Sequence, residues 1–224
     1  MRDLDHDADV VVGLMESRLG NDLTAGRRRV LAIAGPPGSG KSTLASHIVE
    51  KLNGAGRYAA AVLPMDGFHL DNAALDARAL REIKGAPETF DAEGFVALVR
   101  RIRQGGTDIR YPLFDRAQDR TRPGAGCVTA DTPLIVVEGN YLLLRHGAWA
   151  DLRALFDVTV MLAPPLAELE ARLVSRWLDH GLSRDQAETR ARGNDLTNAR
   201  TVINESAEAD LILGEPRYPR GDAP

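Results

Sequence analysis

The sequence predicts an α/β domain built on a doubly wound, five-stranded parallel sheet. Three observations carry that prediction. Five short apolar runs recur along the 224 residues: VLAIA (30–34), YAAAVLPMD (58–66), TPLIVVEG (132–139), DVTVMLAP (157–164) and ADLILGE (209–215). Their centres are apolar throughout rather than alternating, as in strands covered on both faces. Segments of helical periodicity separate most of them, and strand–helix alternation of this kind builds a parallel sheet.

Taken in order, residues 8–19 read as an amphipathic helix carrying Val11, Val12, Met15 and Leu19. The first strand follows, then a glycine- and proline-rich break, then a helix with Leu44, Ile48 and Leu52 on one side. After the second strand, residues 91–106 form a helix with Phe95, Leu98, Val99 and Ile102 on one side, ending at two glycines. Between 107 and 133 the pattern lapses, which predicts an irregular hairpin excursion beside the sheet. Residues 164–207 read as helical throughout, with a break near HGLS (180–183). There is no internal repeat and no low-complexity tract.

Bulk properties narrow the function classes. With 28 basic and 32 acidic residues the formal charge is −4, which gives no electrostatic case for nucleic acid as a partner. Cys127 is the one cysteine, so an intrachain disulfide is impossible and a reducing compartment is favoured. The start, MRDLDHDADV, lacks the basic and apolar segments of a signal peptide, and no apolar run approaches a membrane span. The expectation is a single cytoplasmic domain over 1–224, with no membrane partner and an open oligomeric state, a homodimer included.

The break after the first strand is the sharpest signal. Gly35-Pro36-Pro37-Gly38-Ser39-Gly40-Lys41-Ser42, followed by Thr43, fits G-x-x-x-x-G-K-[ST] between a strand and a helix. Glycines let successive N–H groups curl inward toward phosphate oxygens, and the helix N-terminus adds its positive end. Lys41 is expected to reach the β- and γ-phosphates and Ser42 to ligate Mg²⁺. Two strands end in acids, Asp66 and Glu138. Ligands bind beyond the carboxyl ends of strands in open α/β sheets. Two carboxylates there can divide metal binding from handling of an attacking hydroxyl. Plain turn or helix capping is the alternative for each.

GPPGSGKST, LPMDGFHLDN, APETFDAEGF, YPLFDRAQDRTRP, VVEGNYLLL and ARLVSRW together resemble the uridine kinase, phosphoribulokinase and bacterial pantothenate kinase group, over about residues 28 to 214. GAPETFDAEGF and the FH after Asp66 most resemble a bacterial branch labelled fructose-transport-system or nucleoside kinase. The resemblance implies a P-loop NTPase fold with a helical lid (164–193) and an acceptor-side excursion (107–133). It implies ATP held by residues 35–43, Mg²⁺ held by Ser42 with Glu138 or Asp66, and a small-molecule alcohol as acceptor. Asp66 matches the proposed catalytic base. His69 stands where uridine kinases carry an aromatic residue. Asp91, Arg116, Arg120 and Glu138 fall on acceptor-side positions, Asp91 being equally readable as a helix N-cap and the arginines as surface charge. Lys41, Arg172 and Arg176 fall on catalytic ones.

Arg172 and Arg176, four apart, share a helix face whose Leu166, Leu169 and Leu173 turn toward the core. Planar guanidinium donors suit the charge of a transferring phosphoryl group. Arg184 is a third candidate, Arg190 and Arg192 are expected on the surface, and Glu168 and Glu170 can serve as salt-bridge partners. Asn194, Asp195 and Asn198 form a polar face that either lines the site or serves solubility. The expected activity is phosphorylation of a sugar such as fructose. The alternatives are a nucleoside, then pantothenate or glycerate, or a regulatory P-loop protein without turnover. A GTPase is disfavoured because N-K-x-D is missing.

Overall fold

In the computed structural model, which describes residues 3–214, five of the seven strands form one parallel sheet. Residues 1–2 and 215–224 of the expected domain, including Glu215 at the end of the last apolar run, lie outside the described residues. In chain order the strands are β1 (Arg29–Ala34), β2 (Ala60–Pro64), β3 (Ile109–Asp115), β4 (Arg120–Val128), β5 (Leu134–Gly139), β6 (Val158–Ala163) and β7 (Leu211–Gly214). The parallel sheet runs β2-β5-β1-β6-β7 and β3 pairs with β4 alone. The order turns around β1, and the ligand crevice of a doubly wound sheet opens at such a point.

Uniform apolarity of the strands follows from cover on both faces. Val30, Ala32 and Ala34 of β1, with Ile135 and Val137 of β5, pack with α4 (Ala92–Gln104), Trp149 and the β3–β4 hairpin. Leu31 and Ile33, with Leu134 and Val136, face α1 (Leu4–Thr24) and α2 (Lys41–Gly54). The first helix extends past the expected 8–19 at both ends. Asp3 caps it by accepting from the Asp5 and His6 amides, and Leu23 continues its buried stripe.

One expectation is corrected. The second apolar run leaves the sheet at Pro64, and Asp66 sits in a following 3₁₀ turn (Met65–Phe68). The 107–133 excursion is, as expected, a hairpin with an irregularity: β3 and β4 pair antiparallel over most of their length, and the register shifts between Tyr111 and Leu113, where Pro112 is accommodated. Tyr111 donates its hydroxyl to the Val62 carbonyl at 3.0 Å and Thr121 donates to the His69 carbonyl at 3.2 Å, docking the hairpin beside β2. Gly67 allows this approach: a Cβ there would lie 2.0 Å from the Pro112 oxygen. The sequence reading also passed over α3 (Asn72–Ala77) and 3₁₀ turns at Arg81–Ile83, Pro87–Thr89 and Ala148–Leu155.

The C-terminal helical region consists of α5 (Leu166–Asp179), the expected break, α6 (Arg184–Arg190), a π-helical turn (Ala191–Asp195) and α7 (Leu196–Glu205). It has a small core of its own in Leu169, Leu173, Ala191, Leu196 and Ala199. Ser183 and Gln186 close a capping box that starts α6.

Candidate active site

The glycine loop is shaped by residues that only it needs. Gly38 and Gly40 have φ of 78° and 90°, a region that L side chains enter at a cost. Gly40 caps α2 without a side chain, leaving the first amides of that helix directed at the loop's concavity. From α5, Arg172 donates to the Gly38 and Ser39 carbonyls at 3.2 and 3.3 Å and pairs with Glu168. The Ser39–Gly40 peptide therefore turns its carbonyl to Arg172 and its N–H the opposite way.

At the end of β5, Ser42 donates to Glu138 Oε2 at 2.9 Å, and Glu138 is 5% exposed. Burial pushes the Glu138 carboxyl above the usual carboxylate range, while the Lys41 ammonium pulls it back. Lys41 is lowered by burial of its charged end and supported by Glu138 and Asp66. A hydroxyl and a carboxylate are hard oxygen donors of the kind Mg²⁺ takes. Among the described residues no group of three His, Cys, Asp or Glu gathers into a cage. An ion here would complete its shell from phosphate oxygens and water, as Mg²⁺ ordinarily does.

Across the cleft from the loop, Arg116 of the hairpin donates to Asp66 Oδ2 at 2.5 Å. His69 lies against Phe90 with centroids 4.0 Å apart and 30° between planes, and Phe114 is 4.7 Å away. Burial pushes its pKa down to about 4, so the ring is neutral at pH 7, and its buried Nδ1 has no hydrogen-bond partner. Lys84 donates to Asn72 and Asp119 at 2.8 and 2.7 Å and sits 5.1 Å over the Phe114 ring. From α5, Trp177 Nε1 donates to Asp195 Oδ2 at 2.6 Å, with the Arg190 guanidinium 5.2 Å over the indole. These groups line a single cleft of about 980 Å³ that also contains Pro37, Gly38, Lys41, Ser42, Thr43, Asn140 and Arg176.

Comparison with known proteins gives this cleft its context. A family model described as Nephrocystin 3, N-terminal, matches residues 16–73, the stretch that holds the glycine loop and Asp66. The Escherichia coli protein YggC is 40% identical over 189 residues, 84% of this chain and 78% of that one. A Schizosaccharomyces pombe protein described as a "putative uridine kinase" is 34% identical over 202 residues, 85% of each chain. The crystal structure of a "putative fructose transport system kinase" from Silicibacter sp. TM1040 superposes with a TM-score of 0.84 at 45% identity, covering 95% of this chain and all of that one. The chain belongs to the uridine kinase-type P-loop kinases.

As an ATP-dependent kinase of that type, the protein brings Lys41, Ser42, Asp66, His69, Arg116 and Arg176 to one cleft. Glu138 reaches it through Ser42. Other expected residues are placed elsewhere. Asp91 accepts from the Gly94 amide at 2.9 Å as the N-cap of α4 and does not line the cleft. Arg120 is exposed at the start of β4, paired in register with Asp115. Arg172 braces the loop from behind, whereas Arg176 points into the cleft. Arg184 is exposed and bonds Glu188, and Arg192 bonds Glu170. Arg190 is exposed, as expected, and also lines the mouth of the cleft. Lys84, Phe114, Asn140 and Trp177 were missed, while Asp195 and Asn198, left open before, line it. Among the described residues no helix is long and apolar enough to cross a membrane.

Proposed function

We propose that this kinase moves the γ-phosphoryl group of MgATP to a hydroxyl of a sugar-class polyol, with Asp66 orienting that hydroxyl. The observation that carries this reading is that the phosphate loop and Asp66 open into one cleft whose acceptor end offers His69, Lys84, Asp119 and Asn198. Each buried polar group there penalises an acceptor that leaves it unmatched, so a molecule rich in hydroxyls is favoured. The relative named for a fructose transport system supports the same class.

The residues divide the work by position. The amides of residues 38–43 and the Lys41 ammonium hold the β- and γ-phosphates. Mg²⁺, held by Ser42 and Glu138 directly or through water, would supply charge shielding between those phosphates. Arg176 faces the transferring group, its guanidinium supported by Asp195 and Asp66. Asp66 releases Arg116 as the acceptor enters, accepts the hydroxyl's hydrogen bond, and takes its proton late, because a loose transition state needs little early deprotonation. Closure of the α5–α7 region keeps water from competing for the phosphoryl group.

A coupled ADP-release assay across sugars, nucleosides, pantothenate and glycerate tests the acceptor. Turnover on a free sugar above the others is expected. Strong turnover of uridine or cytidine with none on any sugar would favour the second reading, a nucleoside acceptor. The His69–Phe90–Phe114 wall gives that reading its specific support, since a base stacks on such a surface. Asp66→Asn tests the base: kcat should fall at least roughly 10²-fold while ATP still binds.

A further inference from the structure

The helix from Arg184 to Glu205 is continuous but contains one wide turn, Ala191–Asp195. Its buried apolar positions are Ala187, Ala191, Leu196, Ala199 and Val202. The step from Ala191 to Leu196 is five residues where an α-helix would use three or four. The π turn absorbs the extra residue, so the apolar stripe stays on the core and Asp195 and Asn198 line the cleft. Such turns are rare and recur where function requires a local departure from regular helix.

What this departure delivers is a half-buried carboxylate. Asp195 accepts the Trp177 indole N–H and lies within electrostatic reach of Arg176 and Arg190. Arg176 and Trp177 are adjacent on the last turn of α5, and both line the cleft. Fixing the indole therefore fixes the rotation of the turn that carries Arg176. Asn194 completes the tie on the other side by donating to the Lys84 carbonyl at 2.7 Å. We infer that Asp195 is the positioning residue of this kinase, setting Arg176 on the transferring phosphoryl group through the Trp177 hydrogen bond and its own charge. The inference rests on the proposed role of Arg176.

The test is steady-state kinetics with the acceptor that turns over best in the panel. Asp195→Ala should lower kcat by ~10-fold or more and change the KM for ATP by less than ~3-fold, because the loss concerns the transition state. Asp195→Asn, which still accepts the indole N–H, should recover part of that loss. Trp177→Phe, which keeps the ring and drops the donor, should reproduce part of it. In the Arg176→Ala background, Asp195→Ala should add less than ~2-fold, since residues acting through one another are not additive. Full multiplication of the two effects, or wild-type kcat in Asp195→Ala, would overturn the inference while leaving Arg176 its role. Wild-type kcat in Arg176→Ala would overturn both. Thermal melts of each variant separate these outcomes from loss of fold, the isosteric Asp195→Asn being the reference.

Discussion

His69 is a partly buried, neutral imidazole held in an aromatic stack at the wall of the cleft. It was legible as the residue after the Asp66 turn that replaces an aromatic ring, but its partners Phe90 and Phe114 stand 21 and 45 positions further along the chain. With 5% aromatic residues no second stacking partner was identifiable from composition, and the fold supplies two rings beside it. The packing has a pH consequence. His69 titrates near 6.5 when unfolded and about 4 when folded, so between those values the unfolded chain binds more protons and stability rises with pH. The contribution is complete above about pH 6.5 and is lost as pH falls toward 4. His69→Phe keeps a ring in the stack and removes the titration. Its melting temperature should fall less than that of the wild type between pH 7 and 5, and parallel curves would assign the acid sensitivity to other groups. Lys41 has a simpler expectation: Lys41→Ala should abolish measurable MgATP binding in a titration, because phosphate charge would be left uncompensated within the loop.

At the scale of elements, the turn that carries Asp66 is fixed by what it touches. Gly67 presses on the Pro112 carbonyl of β3, and at the end of β5 Gly139 has the Met65 side chain where its own Cβ would be, 2.5 Å from Met65 Cβ. Gly67→Ala should therefore destabilise by about 1–3 kcal/mol, the usual range for overpacking. It should also lower kcat by displacing Asp66, measured by thermal melts and ADP release together. The hairpin itself was illegible as regular structure because Pro112, Pro123, Gly124 and Gly126 read as breakers. A two-stranded ribbon tolerates them: the register shift takes Pro112, and the Tyr111 ring lies over Gly126. The π turn was readable in principle from the five-residue step between Ala191 and Leu196. Arg190 is exposed as expected, and only the fold shows that its exposed side borders the cleft.

Across the whole molecule, stability and chemistry occupy opposite ends of the sheet. Beyond the carboxyl ends of the strands lies the cleft; at the other end Asp157 accepts from the Val30 amide at 2.8 Å and from both terminal nitrogens of Arg103 at 2.7 and 2.8 Å. Asp157→Ala should cost about 2 kcal/mol, discounted for the partial exposure of Arg103, and lower Tm by several degrees. Its kcat and KM should match the wild type, and a changed KM would show that the two ends communicate. The five-stranded parallel sheet was the most legible feature, since strand and helix periods alternate over most of the chain; contacts between the hairpin, the turn at 66 and the α5–α7 region were the least, because each joins segments distant in sequence. The hairpin is one unbroken stretch of chain, fastened by Tyr111 to Val62, by Thr121 to His69 and by Pro112 against Gly67. It is in effect an exchangeable cassette. One contiguous run of codons therefore encodes all that the hairpin brings to the cleft, Phe114, Arg116 and Asp119, and it can be rewritten without touching the glycine loop.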